Sequence, residues 1–316
     1  MRYKQLGKTG LSVSEVAIGT WGVGGRGWGG SDKASSISAM KTMLDLGVTL
    51  IDTAPVYGSG SAEEIVAETV KGRREKVIIS TKCGIKLGAV KGSNKLATRP
   101  EVLSGCEDSL RRLGTDYIDI LFVHWPDEKT PIEETMGALN TLKEQGKIRH
   151  IGLSNFSIPQ IEEAGKYGTI DVIQPPFSMV EQSAKEIMSW SYKKGIMSMT
   201  YASLGAGILG GKIRSLTTFG EGDVRGGFYD YFREPKFSKV MELLRSMDKI
   251  AEKRNVPLAQ IAINWVVQKD FVLTALVGVR TDDHARENCA AMDWQLNEEE
   301  LTLLDGEVAR LFGEVK

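Results

Sequence analysis

With 316 residues, 41% of them hydrophobic and 26% charged, the chain has the composition of an ordinary globular protein, which excludes disordered, collagen-like and disulfide-scaffold classes. A formal net charge of −1, with Lys and Arg spread along the chain, leaves no basic patch for a phosphate backbone, so nucleic acid is not an expected partner. The opening residues lack the apolar core of a secretory signal and no stretch reaches the roughly 18 apolar residues of a membrane span, so a cytoplasmic protein without membrane partners is expected. Cys83, Cys106 and Cys289 are odd in number and have no CxxC spacing, which points to reduced, mostly buried thiols.

In chain order, RYKQLGKTGLSVSEV predicts a β-hairpin turning at Lys8-Thr9-Gly10, suited to plugging one end of a barrel. Eight short, largely apolar runs follow as strands: 15–20, 48–52, 76–82, 117–124, 148–154, 171–174, 196–201 and 273–278. The intervening segments, such as SISAMKTMLDLG, RPEVLSGCEDSLRRLG and PIEETMGALNTLKEQGK, carry apolar residues at helical spacing and end in Gly, as helices do. Two further helices, about 235–254 and 297–311, exceed one helix per strand. The stretch 213–234 is rich in Gly and aromatic residues, and a loop of that length reads as a cover for a site. Eight βα units without a compositional break define the α/β class and fit one closed (β/α)8 barrel over 1–316 better than an open sheet with an appended domain.

Chemistry in such barrels sits at the C-terminal ends of the strands. Here those ends supply Thr20 and Trp21, Asp52, Lys82, His124, Ser154 and Asn155, Gln174, Tyr201, and Gly278 with Arg280. Taken singly, each has a plain structural reading: Asp52 as a helix cap, Lys82 as a chain reaching solvent, His124 as a core histidine, Tyr57 of IDTAPVYGSG as a loop aromatic. Together they form a carbonyl-reduction set, because a Lys near Asp52 and Tyr57 would stabilise phenolate and lower the phenol pKa from about 10. His150 and His284 have no carboxylate or Cys at ligand spacing, so no metal is expected.

Over essentially its whole length the sequence resembles the aldo-keto reductases. IDTAPVYGSGSAEE is similar to the family's Asp and Tyr segment, IISTK to its Lys strand, VHWPD to its His strand, and IGLSNF with DVIQPPFS to its nicotinamide-amide strands. The resemblance implies an NAD(P)(H)-dependent oxidoreductase that moves hydride between nicotinamide and a carbonyl or alcohol. In it Tyr57 is the general acid/base, Asp52 and Lys82 tune it, and His124 orients the substrate oxygen. Ser154, Asn155 and Gln174 are assigned to the carboxamide, and Tyr201 to stacking on the nicotinamide ring. Ser203, Leu204, Gly205, Gly207, Leu209 and Lys212 are assigned to the pyrophosphate, and Gly278, Arg280, His284, Glu287 and Asn288 to the adenosine end. Thr20 and Trp21 join this cofactor set. Arg280 suits a 2′-phosphate, while His284 and Thr281 stand where relatives carry further basic or Gln side chains, so NADP(H) is favoured with NAD(H) as the alternative. Trp21, Trp125, Phe177, Phe228 and Tyr229 are candidates for the substrate wall, with Tyr231 and Phe232 beside them. HWPDEKTP and YGSGSAEE most resemble the bacterial branch associated with sugar, polyol or inositol metabolism, which ranks small aldehydes, ketones, sugars and polyols above steroids.

Two segments, Gly22 to Gly27 and Gly205 to Gly210, fit G-x-G-x-x-G, but neither opens a helix directly after the first strand of a βαβ unit, so a Rossmann fold is not implied. Two other readings stay open. One is an aldolase or isomerase barrel with Lys82 as Schiff-base nucleophile. The other is a non-catalytic cofactor-sensing subunit of the potassium-channel β type, which usually carries an extension before the barrel.

Overall fold

The computed structural model describes residues 1–24, 32–86 and 95–313. A two-stranded antiparallel hairpin, β1 (Tyr3–Gln5) and β2 (Ser12–Ser14), precedes eight parallel strands. These are β3 (Val16–Gly19), β4 (Leu50–Asp52), β5 (Ile78–Cys83), β6 (Ile118–Val123), β7 (Ile148–Ser154), β8 (Val172–Gln174), β9 (Met197–Thr200) and β10 (Val272–Gly278). They form a closed barrel in which each strand pairs with the next and β10 returns to β3, with Ala275 opposite Val16. This is the (β/α)8 barrel that the alternating pattern predicts. All six residues of β5 and all six of β6 are buried, as expected for strands covered on both faces.

The surrounding helices are α1 (Lys33–Asp45), α2 (Ser61–Val70), α3 (Arg99–Leu113), α4 (Ile132–Glu144), α5 (Ile158–Gly165) and α6 (Lys185–Lys193), then α7 (Arg225–Phe228), a single turn. They continue with α8 (Lys236–Arg254), α9 (Leu258–Val267), α10 (Asp282–Ala290) and α11 (Glu298–Phe312). Local chemistry sets their ends. Thr98 precedes an α3 with Pro in its first turn, and Gly114 closes that helix in the left-handed region at φ 61°. Ser157 with Gln160, and Asn297 with Glu300, form capping boxes on α5 and α11. Asp32 caps α1 by accepting from the Ser35 N–H. The two expected extra helices are α8 and α11, which pack on one another. Of the two, α8 also packs on α9, whose ten residues are all buried.

Apolar side chains form two layers. Inside the barrel, Ala17, Leu50, Ile78, Ile120, Phe122, Val172, Met199 and Leu273 pack against Leu6 and Val13 of the hairpin. The hairpin therefore closes the N-terminal end of the barrel, as its sequence predicts. Lys4 Nζ locks it there by donating to the carbonyls of Val267 and Val272 at 2.6 and 2.8 Å. The second layer lies between barrel and helices, and Cys83, Cys106 and Cys289 are buried, free thiols; burial pushes each up to about 12. No helix among the described residues is long and apolar enough to cross a membrane.

Candidate active site

With the N-terminal end plugged, the C-terminal mouth is open, and a cavity of about 610 Å³ runs across it. Its floor is set by strand ends. Asp52 terminates β4 and is 2% exposed; Lys82, 1% exposed, reaches it from β5 with Nζ 2.7 Å from Oδ2. Ser80 Oγ and Gln174 Nε2 donate to the other carboxylate oxygen at 2.7 and 2.8 Å, and the Lys82 ammonium also donates to the Thr53 carbonyl at 2.9 Å. Thr20 binds the Asp52 carbonyl through both its N–H and its hydroxyl at 3.0 Å. A buried ion pair needs further hydrogen bonds to offset its desolvation, and here both partners have them.

Tyr57 begins a 3-10 turn, Tyr57–Gly60, that leads into α2. The turn is held by close approach of two glycines. A Cβ on Gly24 would stand 2.6 Å from the Gly58 nitrogen, and one on Gly58, at φ +59°, would stand 2.4 Å from the Gly24 oxygen. Only glycine fits both positions. The Tyr57 ring stacks on Trp21 with centroids 6.2 Å apart, meets His124 edge-on at 6.1 Å, and has Lys82 Nζ 5.0 Å from its centroid.

The electrostatics differ from the expected phenolate stabilisation. The Lys82 charge is committed to Asp52, and burial followed by the Asp52 charge pushes the Tyr57 phenol well above its ordinary range. Burial and then the Lys82 charge hold His124 well below the usual histidine range, so its imidazole is neutral. Burial also lowers Lys82, while Asp52 opposes that shift. The site thus combines a protonated phenol, a neutral imidazole and a buried ion pair.

Further along the mouth, Asn155 adopts φ +63° directly after β7 and knits three elements. Its Nδ2 donates to the His124 carbonyl at 2.9 Å and to Ser154 Oγ at 3.0 Å, and its Oδ1 accepts from the Tyr201 hydroxyl at 2.9 Å. Ser154 in turn donates to the Gln174 carbonyl at 2.9 Å. Past β9 the chain turns through Ser203 and Leu204 into a 3-10 segment, Gly205–Gly210, with Gly207 and Lys212 on the cavity. This is the second G-x-G-x-x-G segment; residues 25–27 of the first lie outside the described ones. At the far end Gly278 closes β10, and Arg280, His284, Glu287 and Asn288 complete the lining, with Asn288 Nδ2 donating to the Gly278 carbonyl at 3.3 Å.

Most of the expected residues therefore share one cavity. Lys82 stands just behind its wall, reaching it through Asp52. Three expectations are corrected. Phe177 is not substrate wall: it is 1% exposed and stacks on Trp265 of α9 at 5.4 Å, inside the helix-facing core. Leu209 is fully buried and Gly205 packs beneath Val180 and Ile208, so Ala206 and Gly210 face the cavity in their place. Trp21, Trp125, Phe228 and Tyr229 do line it. Sequence reasoning missed Val23, Val56, Ile213 and Arg225. Arg225 lies in the 213–234 stretch, which folds back over the mouth so that Phe228 meets Trp21 edge-on at 6.0 Å. There it approaches Arg280, whose guanidinium is pulled down by burial and then by the Arg225 charge, with Asp223 opposing. Among the described residues no group of three or more His, Cys, Asp or Glu is placed to hold a metal ion.

A plugged (β/α)8 barrel with Asp, Tyr, Lys and His at the mouth defines a class of nicotinamide-dependent oxidoreductases. The family signature described as the aldo/keto reductase family matches residues 15–308, and the chain belongs to that family. It is accordingly an enzyme of carbonyl and alcohol oxidoreduction. It is 37% identical over 307 residues to the aldo-keto reductase YhdN of Bacillus subtilis (strain 168), covering 95% of this chain and 91% of that protein. It is 33% identical over 321 residues to an NADH-specific methylglyoxal reductase of Escherichia coli (strain K12), covering 96% and 97%. Among solved structures, a glycerol dehydrogenase from Gluconobacter oxydans superposes with a TM-score of 0.87 at 34% identity, covering 97% of this chain and 95% of that one.

Proposed function

We propose that residues 1–316 work as one cytoplasmic domain that reduces small aldehydes, ketones or sugar-like carbonyls, with Tyr57 as the proton donor. The observation that carries this reading is the meeting of Tyr57 and His124 on the cavity, ring centroids 6.1 Å apart, above an Asp52–Lys82 pair held at 2.7 Å. The donor set along the cavity fits a dinucleotide. Hydroxyl and amide groups of Ser154, Asn155 and Gln174 cluster near Tyr57 and suit a carboxamide, which needs both donors and acceptors. Lys212, Arg225 and Arg280 line the same cavity and suit phosphate oxygens. Thr20, Trp21 and Tyr201 line the same cavity, and the resemblance assigns Tyr201 to stacking on the nicotinamide ring.

Nicotinamide, when bound along this cavity, would supply the hydride. Tyr57 gives its proton to the substrate oxygen, and His124, neutral and able to donate one hydrogen bond, stabilises the charge developing there. The Asp52–Lys82 pair anchors the floor on which the phenol stands, with Lys82 Nζ 5.0 Å from the Tyr57 ring centroid. Because the free phenol is held protonated, the residues favour reduction at neutral pH; oxidation gains rate as pH rises and phenolate becomes available. Two neighbouring arginines, Arg225 and Arg280, favour NADP(H) over NAD(H). The glycerol dehydrogenase relative supports polyols and their carbonyl counterparts as substrates.

Tyr57→Phe tests the reading. It is expected to leave cofactor binding, followed by tryptophan quenching, close to wild type while lowering kcat by about 10² to 10⁴. Unchanged turnover would overturn the assignment.

A further inference from the structure

A second cavity, about 250 Å³, lies beside the first and shares Tyr201, Phe228 and Tyr229 with it. Its remaining wall includes Glu181, Asp230 and Tyr231. Three properties set it apart from a packing gap. Its wall carries two carboxylates and no Lys, Arg or His. Asp230 is offset by Lys236 at 2.5 Å, but among the described residues no basic group lies within 4.0 Å of the Glu181 carboxylate, which is only half-buried and is met by the N–H and hydroxyl of Ser183 at 3.0 and 2.5 Å. The Tyr231 ring is 1% exposed and its hydroxyl has no hydrogen-bond partner. Four aromatic rings complete the enclosure, with Tyr229 stacked on Tyr231 at 5.1 Å and Phe228 edge-on to Tyr229 at 4.9 Å.

A carboxylate without a counter-cation, a buried phenol without a partner and several aromatic rings together give the lining an anionic, acceptor-rich character. Aromatic faces attract cations through the ring quadrupole, and a partly desolvated carboxylate adds to that attraction. A neutral hydroxylated group would satisfy the hydrogen bonds but leave the charge uncompensated, and an anion would be repelled. The cavity is also connected to the reacting end by ring contacts, from Tyr57 to Trp21 to Phe228 to Tyr229.

We infer that this cavity is a subsite for a positively charged nitrogen, so that the enzyme prefers carbonyl or alcohol substrates bearing an ammonium or trimethylammonium group away from the reacting carbon. Glu181 is the specificity-determining residue, with Tyr229, Tyr231 and Phe228 as the aromatic walls. The inference rests on the placement of the substrate carbonyl at Tyr57 and His124.

The test compares aldehydes of graded chain length that end in trimethylammonium, in the isosteric tert-butyl group, or in carboxylate. At the best length the cationic aldehyde is expected to exceed its tert-butyl isostere in kcat/KM by about tenfold, with the carboxylate poorest. Glu181→Gln is expected to narrow this ratio severalfold, leaving the share due to the aromatic faces, while thermal unfolding and cofactor titration report that the variant is folded. A wild-type ratio near one, or a ratio that Glu181→Gln leaves undiminished, overturns the subsite and leaves the Tyr57 reading intact. Absence of turnover for every aldehyde overturns the Tyr57 reading on which the subsite depends.

Discussion

Replacing Asp52 by Asn probes the floor of the site, because the substitution keeps shape and removes charge. The carboxylate is 2% exposed and receives three donors, from Lys82, Ser80 and Gln174. An Asn carbonyl oxygen can still accept from Ser80 or Gln174, but its amide presents hydrogens to the Lys82 ammonium. That ammonium, 1% exposed, keeps only the Thr53 carbonyl. Removing one member of a buried pair leaves an uncompensated charge, which costs about 3 to 5 kcal/mol. Urea unfolding followed by tryptophan fluorescence at pH 7 measures the loss. The sign with pH is specific. Burial already lowers Lys82, and without Asp52 its folded pKa falls further below the unfolded value of about 10.4. Between those two values the unfolded state binds more protons, so stability rises with pH and the deficit of Asp52→Asn shrinks towards pH 10. A deficit below about 1 kcal/mol, the worth of an exposed pair, or one that is flat across this range, would refute a charged, buried Lys82.

Other outcomes follow from the same geometry. Arg280→Met is expected to weaken NADPH binding about 10- to 100-fold, the scale of lost charge-assisted hydrogen bonds, with little effect on NADH; equal losses for both would remove the 2′-phosphate role. Gly24→Ala forces a Cβ to within 2.6 Å of the Gly58 nitrogen, so it should displace the Tyr57 turn and lower kcat more than it weakens cofactor binding, as steady-state kinetics with a quenching titration would show. His124 is held below its usual pKa by burial, so below about 6.5 the unfolded state binds the extra proton and wild-type Tm should fall with acidification. His124→Gln should flatten that slope, and an unaltered slope would assign the titration elsewhere.

Much of this architecture is legible because its signals are local. Eight apolar runs separated by helical periodicity give a parallel barrel, and the strand ends then name Asp52, Lys82, His124, Asn155 and Gln174 without knowledge of distance. What resisted reading depends on contacts between distant segments. Phe177 sits three residues after a site strand, yet the chain turns and Trp265, 88 positions later, claims its ring. Arg225 belongs to a stretch with no periodicity, and only its return over the mouth brings it near Arg280. Leu209 and Ala206 occupy one short 3-10 segment, and which of them faces the cavity is set by left-handed backbone at Ala206 and Gly207, at φ 51° and 95°. The α9 helix is buried on every face, Gln260 and Asn264 included, because β10, α8 and α10 pack around it, so no solvent-facing stripe marks it. The Tyr57 phenol departs from expectation for a similar reason, since Lys82 reaches Asp52 first.

The closure of the barrel has a kinetic side. The seam joins Val16 to Ala275, among the largest sequence separations of any strand pairing in the chain. Until β10 is in place, β3 and β9 each present a bare parallel edge, and such edges invite pairing with another chain. Contacts this remote repay their loop-closure entropy last. During synthesis these two sticky edges therefore stay uncovered until β10 has emerged, which makes early folding, rather than the finished barrel, the period of greatest exposure to aggregation.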